Sequence, residues 1–181
     1  IRQIDLTKPL GRSIEQLIKY DIAVFIAHTN LDAVPDGVNW TLARAEGLDP
    51  EKCTVIEPTY IEKLCKYVVF VPEAAVEKVH QAIAEAGGGH IGNYSDCTFR
   101  TKGEGTFKPL AGAKPYIGQT GKLEKVAEYK IETIISEDKL GDLLNAVRKV
   151  HPYEEIAYDI YPLNNKGRTV GIGLLDTKRK L

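Results

Sequence analysis

Two stretches of this chain, KYVVFVPEAAVEKVHQAIAEAG at 66–87 and KIETIISEDKLGDLLNAVRKVH at 130–151, follow one pattern at an offset of 64 residues. Val76 falls on Leu140, Val79 on Leu143, Ala82 on Ala146 and Ile83 on Val147. In each copy an apolar, β-branched run ends at Pro72 or Ser136, and apolar residues then recur at helical spacing. Each copy therefore predicts a strand followed by a helix with a core stripe. After the first copy, HIGNYSDCTFRTKGEGTF carries Gly103 and Gly105, which predict a hairpin turn; after the second, EEIAYDIYPL predicts a closing strand. Strand, helix and strand twice over is the split βαβ, ferredoxin-like arrangement, an α+β module over about residues 65–163.

Ahead of that module the pattern changes. Ser13 followed by Gln16 forms a capping box before Ile14, Leu17 and Ile18, which predicts a short amphipathic helix closed by a turn at Tyr20 and Asp21. Residues 22–27, IAVFIA, are continuously apolar and predict a strand buried on both faces of a mostly parallel sheet. HTNLD then falls in a polar loop at the carboxyl end of that strand. A second helix is expected over 38–46, with Asp36 as its N-cap and Gly47 just past its end. Open α/β sheets bind ligands at the carboxyl edge of their strands, so His28 and Asp32 stand where chemistry is expected. Residues 170–175 return to an apolar strand pattern. The chain thus divides into a partial α/β core at 1–64, an inserted module at 65–163 and a return to the core at 164–181.

Charge narrows the function classes. Lys plus Arg (24) nearly cancels Asp plus Glu (25), so no basic field points to nucleic acid or an anionic membrane surface. Cys53, Cys65 and Cys97 have neither CxxC spacing nor an even count, and reduced thiols in a cytoplasmic protein are the simplest expectation. The chain shows no apolar leader, and no apolar run approaches the roughly 20 residues that span a bilayer, so neither secretion nor membrane insertion is expected.

His28 and Asp32 are the first candidates for chemistry. Imidazole and carboxylate suit Zn, Mn or Fe, and two such ions about 3.5–4 Å apart can generate hydroxide from water and clamp a hydrolytic transition state. On the bare residues, such a cluster after a buried strand is more often a turn whose side chains bond local backbone. KGEGTF and GIG lack the strand-to-helix context of a phosphate-binding loop and read as turns. His90 and His151 each follow a predicted helix, where an imidazole can simply complement the dipole or be satisfied at an interface. Ser95 and Cys97 have no base at a readable spacing.

The stretch running from IDLTKPLGRSIEQLIKY through AHTNLDAVPDGVNWTLARAEGL resembles the first-domain core of the Nif-three-like family, whose members carry the description GTP cyclohydrolase I type 2 homologue. YVVFVPEAAVEKVHQAIAEAGGGHIGNYS, continuing to HPYEEIAYDIYPL, resembles the PII/CutA-like domain inserted into its longer bacterial members. The resemblance implies a toroidal homo-oligomer, usually a hexamer trimerising through the inserted domain. It also implies two divalent ions (Zn, Mn or Fe) per full-length subunit facing an internal cavity. Family ligands come from an early His-His pair, from the His and Asp of HTNLD, and from a late His/Glu pair. Carried over here, that leaves His28 and Asp32 as metal ligands, since His28, His80, His90 and His151 include no adjacent pair. The expectation is a chain lacking both ends of the family's core domain. Related trimers further imply a small-ligand or metal-sensing cleft between protomers, formed by His90, Asn93, Tyr94, His151 and Glu154.

Three functions follow as alternatives: a metal-dependent hydrolase of the GTP-cyclohydrolase or phosphoester type, a non-catalytic metal-handling or regulatory protein, and a structural protein whose module drives oligomerisation.

Overall fold

The computed structural model describes residues 4–176. In chain order the elements are helices α1 (Pro9–Lys19), α2 (Thr29–Ala33) and α3 (Val38–Ala45), strands β1 (Thr54–Ile61) and β2 (Leu64–Pro72), helix α4 (Val76–Glu85), strands β3 (Thr98–Phe107) and β4 (Glu124–Ser136), helix α5 (Leu140–Val150), and strands β5 (Tyr158–Pro162) and β6 (Thr169–Leu175). The fold is mixed α/β. It divides into two compact units, one running to Thr59 and resuming at Val170, the other Tyr60–Thr169.

The repeat shapes the second unit. Pro72 and Ser136 each end a strand, each is followed by one turn of 3-10 helix, and Val76 and Leu140 then begin α4 and α5 at the same offset of 64. The sheet order is β3-β4-β2-β5, with each neighbouring pair antiparallel. Alternation fixes which face is covered: Tyr67, Val69 and Val71 of β2 and Ile131 and Ile135 of β4 point one way, onto Val79 and Ile83 of α4 and Leu143 and Val147 of α5. These side chains are almost wholly buried and form a single core. The opposite face carries alternate residues of the same strands, including Val68, Phe70, Phe99, Phe107 and Glu128.

The hairpin expected at Gly103 and Gly105 is not there. Both glycines lie inside β3, which runs unbroken along β4. The turn signal failed because a glycine in a strand also permits close approach: a Cβ on Gly105 would fall inside van der Waals contact with the Glu128 carboxylate.

In the first unit, α1 starts at Pro9, not at Ser13. Proline at N1 has its φ already set for the helix and no N–H to leave unpaired. Ser13 instead donates from its hydroxyl to the Pro9 carbonyl (3.1 Å). The turn at Tyr20 and Asp21 is present, with Asp21 at φ 51°. The buried strand expected over 22–27 is a further correction. The segment has no strand beside it among the described residues, and Phe25 and Ile26 are 85% and 81% exposed. Backbone hydrogen bonding to a neighbour defines a strand, and apolar content cannot replace it. α3 spans the expected residues and buries Trp40 and Ala43. Gly37 rather than Asp36 is its N-cap, and Asp36, at φ 59°, instead pairs with Arg44 (2.6 Å). β6 matches the apolar pattern of the tail and pairs with β1.

Candidate functional site

HTNLD forms the one-turn helix α2 where a polar loop was expected, and its own side chains make that turn. The Asn30 carboxamide oxygen accepts a hydrogen bond from the His28 backbone N–H (2.7 Å). At the other end, Asn39 donates from its side chain to the Asp32 carbonyl (2.6 Å), tying the turn to the start of α3. Between them Gly37 sits so close to the Leu31 carbonyl that a Cβ would collide with it. His28, as N-cap, and Asp32, four residues on, therefore bracket one helical turn held by neighbouring residues.

The His28 and Asp32 side chains do none of this structural work. His28 is exposed and Asp32 half-buried, and among the described residues neither imidazole nor carboxylate has a hydrogen bond or ion-pair partner. Among those residues no three His, Cys, Asp or Glu side chains gather into a set that could hold a metal ion. Asn30, Gly37 and Asn39 are the positioning residues that pattern reading passed over. Their signal was present in HTNLD and GVN, where an Asn or Gly beside a candidate ligand marks a tailored turn.

In the second unit a cavity of about 700 Å³ opens on the sheet face opposite α4 and α5. Phe70, Phe107 and Glu128 line it from the strands, Leu110 and Tyr116 from the β3–β4 loop, and Tyr153 from the segment after α5. Tyr153 is central, with ring centroids 6.2 Å from Phe107 and 6.1 Å from Tyr116, both tilted. Its hydroxyl is buried and makes no hydrogen bond of ordinary length and angle. Desolvation, then the nearby Glu128 carboxylate, pushes its pKa up, so the phenol stays neutral at any physiological pH.

His151 supports this wall from behind. It is 7% exposed, its Nδ1 accepts from the Tyr153 backbone N–H (3.1 Å), and Nε2 therefore carries the proton and donates to the Phe70 carbonyl (3.0 Å). Its ring meets Tyr153 edge-on at 5.1 Å. Burial holds the imidazole pKa below its ordinary value, against smaller opposing effects of the Phe70 carbonyl and Glu128.

Of the five residues expected to form a cleft between protomers, one, Glu154, lines this cavity. It accepts from the Lys114 backbone N–H (2.8 Å) and is close in sequence to His151. His90, Asn93 and Tyr94 are exposed in the loop after α4, where Gly89 donates to the Ile134 carbonyl. Ile134 stands six positions along β4 from Glu128, about 20 Å away. The aromatic wall itself was missed: in HPYEE the histidine and glutamate drew attention, and the tyrosine between them lines the cavity.

Comparison with known proteins adds identity. A 163-residue alignment with a protein of Halalkalibacterium halodurans described as "GTP cyclohydrolase 1 type 2 homolog" is 52% identical, covering 90% of this chain and 43% of that protein. The protein of the same description from Bacillus subtilis is 46% identical over 177 residues, 98% of this chain and 47% of its own length. Among solved structures, a Bacillus cereus protein related to NIF3 superposes with a TM-score of 0.77 at 48% identity, over 94% of this chain and 44% of that one. The chain thus spans less than half the length of these relatives. The profile of the family described as Duf34/NIF3 (NGG1p interacting factor 3) matches residues 1–161, and the chain belongs to that family.

Proposed function

We propose that His28 and Asp32 are ligands of a divalent-metal site, and that a full-length subunit holds two such ions (Zn, Mn or Fe) and uses them for hydrolysis of the GTP-cyclohydrolase or phosphoester type. The observation that carries this reading is the division of labour around α2. Asn30, Gly37 and Asn39 hold the turn, leaving an imidazole and a carboxylate unengaged at its two ends. The donor chemistry fits a first-row divalent ion. Two protein ligands are fewer than the three or four such ions usually take, so binding by these two alone is weak. A bound ion would supply an activated water and electrostatic stabilisation of developing negative charge. The chain's own contribution is to present the two donors on a braced turn. The description carried by the relatives from H. halodurans and B. subtilis supports the reaction class.

The test is elemental analysis of the purified full-length protein beside its Asp32→Ala variant after equilibration with Zn²⁺ or Mn²⁺. The wild type retains more metal than the variant; equal retention removes Asp32 from the site.

A second reading, regulatory or metal-handling without turnover, draws on the second unit. We read its strand order, β3-β4-β2-β5, as the ferredoxin-like, PII/CutA-like arrangement, and the unit as a domain inserted at about 65–163 into a core formed by 1–64 and 164–181. On the sheet face away from the helices Phe99 is 69% exposed and Tyr161 52%. Such a face is suited to trimerisation, with a homohexamer as the full assembly, and would let His90, Asn93 and Tyr94 of one protomer approach His151 and Glu154 of another. The three free cysteines accord with a cytoplasmic location. No helix among the described residues is long and apolar enough to cross a membrane.

A further inference from the structure

We propose that the aromatic cavity of the second unit binds an organic cation, a protonated amine carried on an apolar or aromatic body. The inference is independent of the metal reading, since it involves neither His28 nor Asp32. Its first support is the shape of the wall. Phe107, Tyr116 and Tyr153 stand tilted to one another at centroid spacings of about 6 Å, 55° and 49° between planes, and Phe70 contributes a fourth ring to the lining. Rings stacked on one another would occupy their own faces. Rings that are tilted rather than stacked leave face area free at an open volume, and a free aromatic face attracts ammonium groups.

Charge is the second support. Three carboxylates line the cavity, Glu128, Glu154 and Glu155, against one lysine, Lys108. A phosphate or carboxylate ligand would meet like charge there. A neutral apolar ligand would shed water from the Glu128 carboxylate without offering it a donor, which is costly. An ammonium group donates to that carboxylate. The neutral phenol adds no competing charge.

Gly105 is the third support. The Glu128 carboxylate lies across β3 where a side chain at 105 would otherwise stand. A side chain at 105 would make that carboxylate swing away, so glycine here leaves the charged group its place at the cavity floor. A strand interior ordinarily disfavours glycine, and this close approach accounts for it.

The probe is 2-phenylethylammonium, compared with its neutral isostere 2-phenylethanol and with the anion phenylacetate, each titrated into the whole chain by calorimetry and saturation-transfer NMR. The cation is expected to bind at least about tenfold more tightly than the alcohol, with no detectable binding of phenylacetate. Glu128→Gln, which keeps the shape and removes the charge, should erase the preference for cation over alcohol. Glu57→Gln, in the first unit, should leave it intact. If Glu128→Gln loses its circular-dichroism signature, Phe107→Leu, which removes a ring of the lining, serves instead, and should weaken the cation more than the alcohol. Equal binding of cation and alcohol, preferential binding of phenylacetate, no binding of 2-phenylethylammonium at millimolar concentration, or a preference that survives Glu128→Gln would each overturn the proposal.

Discussion

At the scale of single residues, His151 shows how a side chain can be fixed by its neighbours down to the proton. Its Nδ1 is already engaged by the Tyr153 N–H, so protonation would set two donors against each other in a buried place. Burial lowers the pKa of the folded imidazole, while the unfolded one takes a proton near pH 6.5. The sign follows: the unfolded state binds more protons, so this contribution to stability is complete above about pH 6.5 and is lost as pH falls towards the folded pKa. Urea unfolding at pH 7.5 and 5.5 should show the wild type losing more stability on acidification than His151→Gln; parallel losses would contradict this. Gly37 makes a steric prediction. Gly37→Ala drives a methyl into the Leu31 carbonyl and should destabilise the first unit by about 1–3 kcal/mol, whereas Asn39→Ala, losing one hydrogen bond, should cost roughly 1 kcal/mol, both measured by denaturant titration.

At the scale of elements, the 64-residue repeat places its core residues at matching points of two helices. Val79 and Leu143 are both fully buried, as are Ile83 and, within 1%, Val147. Leu143→Ala should therefore cost about 2–5 kcal/mol, and a thermal melt in which it unfolds with wild-type stability would contradict the shared core. These positions were legible in the sequence because burial and period come from the same contact: a helix on a sheet must present apolar residues every three to four positions. Residues 22–27 were not legible for the complementary reason. Their composition is that of a buried strand, but a strand exists only beside another, and sequence pattern carries no information about whether a partner is there. Gly105 misled for another reason, since a glycine that suits a turn also, by lacking a side chain, makes room within a strand for Glu128. β1 escaped notice altogether; most of its residues are exposed, and Pro58 interrupts its pattern.

At the scale of the whole molecule, the candidate sites lie in different units, α2 in the first and the aromatic cavity in the second. His28 and Asp32 were found from residue type and family resemblance, whereas the braces that make them a site, Asn30, Gly37 and Asn39, became visible only with the backbone. The cavity was hidden more deeply, because its rings come from β2, β3, the β3–β4 loop and the segment after α5, spread from Phe70 to Tyr153. The uncovered sheet face also has consequences for the assembly. Light scattering on the chain should report self-association that Phe99→Glu abolishes, without a change in circular dichroism; a wild-type chain that stays monomeric at high concentration would remove this face as an interface. The metal reading is exposed most directly by calorimetric titration of Zn²⁺ or Mn²⁺ into the wild type, His28→Ala and Asp32→Asn. The wild type is expected to show one weak site that both variants lose while keeping their secondary structure. Identical isotherms for all three proteins would place the metal elsewhere and end the assignment of His28 and Asp32 as its ligands.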